Sequence, residues 1–328
     1  MSLENILAPS LGEERSYQIA HEVDEAFGGV VNIEEVSGGN IHYVYRLAND
    51  SEESAYLKIR TDHYVRLPDI STQSEKINDE KKALDMLSAK APEYFPRLIK
   101  HSPTLHYLLL ADLMPGCSNL EDKYRNGDVQ LEDIHDLGFA IGDVHGRHRD
   151  TSEMVRTDHP TDHEVRDTLL DYNLRFFKHP ALLDAARKLV AKPTQLLIGD
   201  LSPKNALVNG GLVRFCDVEN SHQGSVVYDQ AYALAHVLLH QESADGALQA
   251  TERFVEGYQK SNEINTDDPL LVVAVQGILL YRLANPVIPY NLTFDSTTKR
   301  GMAQSIYDSL DRLADDFNGI TKRIFATK

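Results

Sequence analysis

The sequence contains no tryptophan and only two cysteines, Cys117 and Cys216. Two thiols cannot build a disulfide framework or a cysteine-based zinc site, so a reducing compartment, the cytoplasm, is the expected location. Positive charge is also scarce. Lys and Arg number 33 against 50 Asp and Glu, a formal net charge of −17. A surface of that sign cannot displace counterions from phosphates, which argues against sequence-independent nucleic-acid binding. It equally disfavours docking on anionic membranes, and it permits a cationic ligand. Residues 1–16 hold no basic segment followed by a long apolar one, so no leader is read there. The longest uncharged apolar stretch, residues 269–281, is bounded by Asp268 and Arg282. It is too short to cross a bilayer and reads as a buried helix. Asn291-Leu292-Thr293 matches a glycosylation sequon, which has no use in a chain without a secretory signal.

What is present is ordinary globular composition. Apolar residues make up 42% and charged residues 25% of 328 positions, enough to bury a core and to exclude wholesale disorder. The length allows two domains or lobes. Hydrophobic periodicity predicts a helix over 16–27, strands over 30–36, 42–47 and 55–59, a loop over 61–76, a helix over 77–87 and a strand over 105–110. Pro115-Gly116 then breaks the chain. Beyond it, helices are expected over 131–145, 163–177, 180–191, 228–240, 246–258, 270–282 and 298–317, with short strands at 196–198, 206–209 and 212–216. The sum is an α+β chain: a small β-rich lobe over 1–112 and a larger, mainly helical lobe over 113–328.

The most informative segment runs Leu196-Leu197-Ile198-Gly199-Asp200-Leu201-Ser202-Pro203-Lys204-Asn205-Ala206-Leu207-Val208. An apolar strand ends in glycine, Asp200 follows in a polar loop, and Asn205 opens the next strand. Asp217 ends the strand after that. A hairpin would set Asn205 beside Asp217, with Asp200 across the loop. Two carboxylates and an amide oxygen are hard donors that suit Mg²⁺ better than zinc or copper. On spacing alone, the same residues serve equally well as a capped polar turn.

This segment resembles the catalytic loop of the aminoglycoside phosphotransferase and choline kinase-like family, H-G-D-x-x-x-x-N followed by D-x-E. Here the matching residues are Ile198-Gly199-Asp200, Asn205 and Asp217-Val218-Glu219. The resemblance spans roughly residues 30–240. It implies the two-lobed protein-kinase-like fold, with a nucleotide-binding first lobe and a second lobe carrying the catalytic loop, metal site and acceptor-binding helices. Asp200 would then position, and deprotonate, the acceptor hydroxyl, while Asn205 and Asp217 would hold Mg²⁺ against the phosphates of ATP. Gly38, Gly39 and Asn40 match the family's glycine-rich hairpin over the phosphates, although Gly-Gly-Asn between strands is also a plain hairpin turn. Lys58 falls where the fold places its phosphate-binding lysine. Glu80 matches the helix glutamate that would pair with it, with Glu75 as the competing choice. The segment 108–116 resembles the hinge, where the carbonyl of Asp112 and the N–H of Met114 would face adenine. Tyr228-Asp229-Gln230-Ala231 resembles the family's F-D-x-A, whose aspartate braces the catalytic loop. One departure stands out: Ile198 occupies the position of the family's histidine.

His145 and His148 have a spacing that suggests a metal pair, but no third ligand is evident, and Val144-His145 fits a core-helix role known in the family. The expected function is ATP- and Mg²⁺-dependent phosphorylation of a small-molecule hydroxyl on an amino sugar, sugar, choline-like compound or amino alcohol. The acceptor would lie against the helices of residues 220–328. The alternative is a catalytically weak or inert nucleotide-binding module of the same fold. A protein kinase is disfavoured. No Asp-Phe-Gly or Ala-Pro-Glu follows Asp217, and Tyr228-Asp229 comes too soon to leave room for an activation loop.

Overall fold

A computed structural model describes residues 2–36, 39, 41–149, 169–191, 195–285, 290, 292, 294–311 and 316–326. Gly38, Asn40, part of the helix expected over 163–177, residues 312–315 and the sequon residues Asn291 and Thr293 lie outside them. The chain divides into two units, Met1–Gly116 and Cys117–Lys328.

The first unit is built on a five-stranded antiparallel sheet in the order β1-β2-β3-β5-β4. Its strands are β1 (Val30–Glu35), β2 (His42–Asn49), β3 (Ser54–Arg60), β4 (Leu98–Ser102) and β5 (Tyr107–Ala111). Helices α1 (Leu3–Leu11) and α2 (Glu13–Phe27) form a core with the sheet. Leu3, Leu7, Ile19, Val23 and Phe27 from the helices meet Tyr45, Leu47, Leu57, Ile59 and Leu109 from the strands. The i, i+4 spacing of Leu3 and Leu7 gives α1 one apolar stripe, which packing rather than propensity sustains. Pro9 inside α1 and Gly12 after it are the breakers that conceal this helix from a reading of the sequence. Strand β4 was also not expected. It lies at the sheet edge, is only half-buried along most of its length and carries Lys100 and His101, so it lacks the alternation that marks a strand. Helix α3 (Ile77–Lys90) buries Ile77, Glu80, Leu84 and Leu87 on one stripe, which decides what Glu80 can reach.

The second unit holds α4 (Leu120–Asn126), α5 (Leu131–Arg147), a wide π-type turn over Asp171–Arg175, α6 (Pro180–Ala191), α7 (Val226–Leu239), α8 (Ala244–Tyr258), α9 (Pro269–Ala284), α10 (Ser296–Ser309) and α11 (Phe317–Phe325). Two small antiparallel pairs sit between α6 and α7: β6 (Gln195–Leu197) with β9 (His222–Gly224), and β7 (Ala206–Asn209) with β8 (Leu212–Phe215). The single helix expected over 298–317 is instead two helices. The second starts at Asp316, whose carboxylate caps the N–H of Gly319 at 2.7 Å. Helix α9 begins at the Asp268 cap and is buried nearly all round, as its apolar run predicts. No helix among the described residues is long and apolar enough to cross a membrane.

Helices α5 and α8 touch backbone to backbone. Gly138, Gly142 and Gly146 recur every fourth residue of α5 and face Phe254, Tyr258 and Ser261. A Cβ on Gly138 would come within 2.2 Å of the Phe254 carbonyl oxygen, and one on Gly142 within 2.6 Å of that of Tyr258. Gly257 answers from α8, where a Cβ would lie 2.0 Å from the carbonyl oxygen of His135. A side chain at any of these positions must push two helices apart. Gly142→Ala is therefore expected to lower unfolding stability by about 1–3 kcal/mol, measured as a shift in the denaturant midpoint. An unchanged midpoint would show that the two helices separate without cost.

Candidate active site

Strand β6 delivers the chain into a tight loop. Ile198 is buried, and Gly199 takes a left-handed φ of +93° with its Cα so close to Asn220 that a Cβ would lie 2.1 Å from that carbonyl oxygen. Only glycine fits there on both counts. The loop is held by Asp229 near the start of α7, fully buried, which accepts the N–H of Ile198 at 2.8 Å and that of Gly199 at 3.2 Å. Ser221 Oγ donates to the Ile198 carbonyl at 2.9 Å. The bonds that fix residue 198 thus involve its main chain, and an isoleucine supplies them as well as a histidine would.

Asp229 is itself held. His145 Nε2 lies 3.0 Å from Asp229 Oδ2, and His145 Nδ1 lies 2.8 Å from the Tyr258 hydroxyl. A carboxylate only accepts, so Nε2 donates to Asp229. Gln230 Nε2 donates to the same hydroxyl at 3.0 Å, and Gln195 Nε2 donates to the His145 carbonyl at 3.0 Å. The glycine seam between α5 and α8 is what brings Tyr258 this near to His145. His148 turns the other way, its Nδ1 2.7 Å from the Val144 carbonyl, and the two histidines share no metal-type cluster among the described residues.

Past the loop, Pro203–Asn205 forms a single 3₁₀ turn into β7. Asn205 Nδ2 donates to the Asp200 carbonyl at 3.1 Å, which fixes the amide and directs its oxygen away from that bond. The register of β7 with β8 pairs Ala206 with Phe215, and the Cys216 N–H donates to the Asn205 carbonyl at 3.0 Å. The hairpin therefore places Asn205 beside the Cys216–Asp217 step, as the spacing predicts. Asp217 sits at a left-handed φ of +62°, rare outside glycine and of the kind stored at functional positions.

Asp200 is half-buried, and its surroundings set its charge. Burial, the largest single influence, pushes its carboxyl up. Lys204, Arg282, Ser202 and Tyr232 together overcome this and hold it below the usual carboxylate range. Burial likewise pulls the Lys204 ammonium down, but Asp200, Asp217 and Glu219 outweigh it and keep it charged. The loop thus presents an ionised carboxylate flanked by a cation, next to an amide oxygen and a second carboxylate. Asn205 and Asp217 make a donor set that fits a hard divalent cation.

In the first unit, Lys58 on β3 and Glu80 on α3 form a buried ion pair at 2.7 Å, 6% and 2% exposed. Glu75 is exposed in the turn before α3, so the choice between the two glutamates falls on Glu80. Gly39 is exposed in the β1–β2 connection. After β5, the Asp112 carboxylate accepts from Ser54 Oγ at 2.7 Å, Arg46 Nε at 3.3 Å and the Met114 N–H at 3.2 Å. The hinge N–H of Met114 is thus engaged by an Asx turn.

The sequence profile of the phosphotransferase enzyme family matches residues 32–267. The chain belongs to this family. It is an enzyme, a small-molecule phosphotransferase with the two-lobed protein-kinase-like fold. No curated protein sequence matches it. Among solved structures, similar folds include an amicoumacin kinase hAmiN in complex with AMP-PNP, Ca²⁺ and Ami, with TM-score 0.55 and 15% identity over 90% of this chain and 93% of that one. A microcompartment-associated aminopropanol kinase gives 0.55 and 16% over 93% and 99%. A choline/ethanolamine kinase family protein from Mesorhizobium loti gives 0.54 and 14% over 95% and 98%. At such identities the likeness establishes the fold.

Several residues of this phosphotransferase that surround Asp200 escaped the sequence reading. They are Lys204, Tyr232 and Arg282, together with Tyr290, whose hydroxyl lies 3.1 Å from His240 Nε2. One signal was available. Arg282 is the lone charge in an otherwise apolar helix, and a charge on a buried helix needs a partner. His145 was read as an inert core histidine but is bonded to the aspartate that braces the loop. Asp229→Asn replaces an acceptor of three bonds with a group that must also donate. It is expected to cost about 1–3 kcal/mol and to speed hydrogen exchange of the Ile198 and Gly199 amides before global unfolding. Unchanged protection at 198 and 199 would remove Asp229 from this role.

Proposed function

We propose that the phosphotransferase is an ATP- and Mg²⁺-dependent kinase of a small-molecule hydroxyl, with the first unit binding nucleotide and the second carrying the catalytic loop and the acceptor. Bound ATP supplies the phosphoryl group, and Mg²⁺ neutralises its charge. Asp200 orients the acceptor hydroxyl and takes its proton as the new O–P bond forms and the bond to the β–γ bridging oxygen breaks. Asn205 and Asp217 are the residues that would hold the metal. Lys204, kept charged amid the carboxylates, would stabilise charge on the moving phosphoryl group. Lys58, oriented by Glu80, would bind nucleotide phosphates under the hairpin of Gly38, Gly39 and Asn40. Adenine would be met by the Asp112 carbonyl and the Met114 N–H, the latter shared with the Asp112 carboxylate. The amicoumacin kinase of the same fold was solved with AMP-PNP and Ca²⁺, which supports the nucleotide and divalent cation.

The observation that carries this reading is the loop itself. Asp200 is held ionised, and its own carbonyl locks the amide of Asn205 opposite Asp217. The inert-module reading leaned on Ile198. The bracing of the loop through main-chain bonds at that position removes its support.

Asp200→Asn should leave nucleotide affinity within a few-fold and lower kcat by about 10²–10⁴, read by steady-state kinetics beside nucleotide titration. Near-normal kcat would reject Asp200 as the acceptor-side group. Asp217→Ala should abolish turnover and remove most of the Mg²⁺ dependence of ATP binding in calorimetry. Mg²⁺ dependence that survives would take Asp217 out of the metal site. Lys58→Ala should weaken ATP binding at fixed Mg²⁺, and equal affinity in the two proteins would reject its role at the phosphates.

A further inference from the structure

Arg282, near the end of α9, has no task in phosphoryl transfer as described above. Its guanidinium carbon lies 5.0 Å from the ring centroid of Tyr290, 5.5 Å from Tyr232 and 5.9 Å from Tyr281. It donates to the Tyr232 hydroxyl, which is in turn bonded to Asp200. The cation is therefore linked to the acceptor-side carboxylate through one tyrosine. Yet its Nε is buried without a hydrogen-bond partner among the described residues, and no carboxylate among them lies within ion-pair distance. A guanidinium offers five N–H donors in a fork that matches a carboxylate or phosphate.

Local charge points the same way. Burial alone would weaken the Arg282 cation, but Tyr232, Asp200, Tyr290 and Tyr281 more than compensate, so it stays charged. Burial raises the pKa of all three tyrosines, which remain neutral. Asp200 is then the one carboxylate among the main influences on Arg282. His236, packed on Tyr232 at 4.7 Å between centroids, is pushed well below its ordinary range by burial and then by Arg282, so it is neutral. Its Nε2 is also buried without a partner among the described residues. The other carboxylates nearby act on neighbours of Arg282: Asp217 and Glu219 on Lys204, and Glu121 on Tyr290.

We propose that Arg282 is the anion-binding residue of the acceptor subsite, so that the acceptor is a hydroxyl compound bearing a carboxylate or phosphate group near the hydroxyl. The proposal rests on the reading of Asp200 as the group that receives that hydroxyl. A specific exclusion follows from it. Three tyrosine rings around one point form the kind of cage that holds a quaternary or protonated amine. Here the guanidinium already fills the cage, so a choline-like or amino-sugar cation meets like charge instead of bare aromatic faces.

A matched three-carbon series tests this: glycerol, glycerate, glycerol 3-phosphate and 3-amino-1,2-propanediol, repeated with glucose, gluconate and glucosamine. Binding to the full chain is read by calorimetry and thermal shift, and turnover by ADP release with Mg²⁺ and ATP. The acids should bind at least tenfold more tightly than the neutral and cationic members, with the gap shrinking as salt rises. Arg282→Gln should erase that gap while nucleotide affinity holds, and Arg282→Lys should keep part of it. If acids bind no better than the others in the unaltered protein, or if Arg282→Gln keeps the preference, the proposal is overturned. The comparison in the unaltered protein decides even if a variant fails to fold. Turnover of a cationic member that depends on Asp200 would sink the anion proposal and leave the kinase reading standing. Arg282-dependent binding of acids with no ADP release from any bound member, and no effect of Asp200→Asn, would sink the kinase reading and leave the anion site.

Discussion

Two backbone N–H groups, those of Ile198 and Gly199, are bound by one buried carboxylate, and the geometry of the candidate catalytic loop depends on them. Asp229 can do this only because its own charge is met by His145 from α5. His145 in turn is fixed by Tyr258 from α8. A lone ionised carboxylate in that position would be prohibitively desolvated, whereas one that accepts three good hydrogen bonds is tolerated. The position of Asp200 is thus a consequence of contacts made by residues buried behind the loop.

The parts of the fold legible in the sequence are those in which one residue type has one job. The hairpin of β7 and β8 follows from apolar runs around Gly210-Gly211, and its register sets Asn205 against Cys216, one residue before Asp217. Helices α5, α6, α7 and α9 announce themselves by periodicity or by sheer apolar length. Elements held by their neighbours rather than by their own composition were hidden. Helix α1 persists despite Pro9 because Leu3 and Leu7 insert into the sheet core, and β9 is three residues long and exists only as a partner for β6. In the candidate site, the loop residues could be named from their order along the chain. Arg282 could not, because it comes from a helix far along the chain and is brought to Asp200 by tertiary packing alone. Nor could the choice of Glu80 over Glu75 be made before α3 showed which of the two shares a stripe with Ile77, Leu84 and Leu87.

The overall charge of the chain says little about the charges gathered beside Asp200. A net charge of −17 is a property of the solvated surface, screened within about 10 Å at ordinary ionic strength. Arg282 and Lys204 act where screening is weak. The charge state of Asp200 is set by these near neighbours and not by the overall balance.

The glycine seam between α5 and α8 has a bearing on how such an enzyme can change. A contact made of main chain against main chain does not depend on which side chains the two helices carry elsewhere. Exposed residues on their outer faces can change without altering that contact. The joint that keeps His145 beside Tyr258 is one with no side chains of its own to exchange.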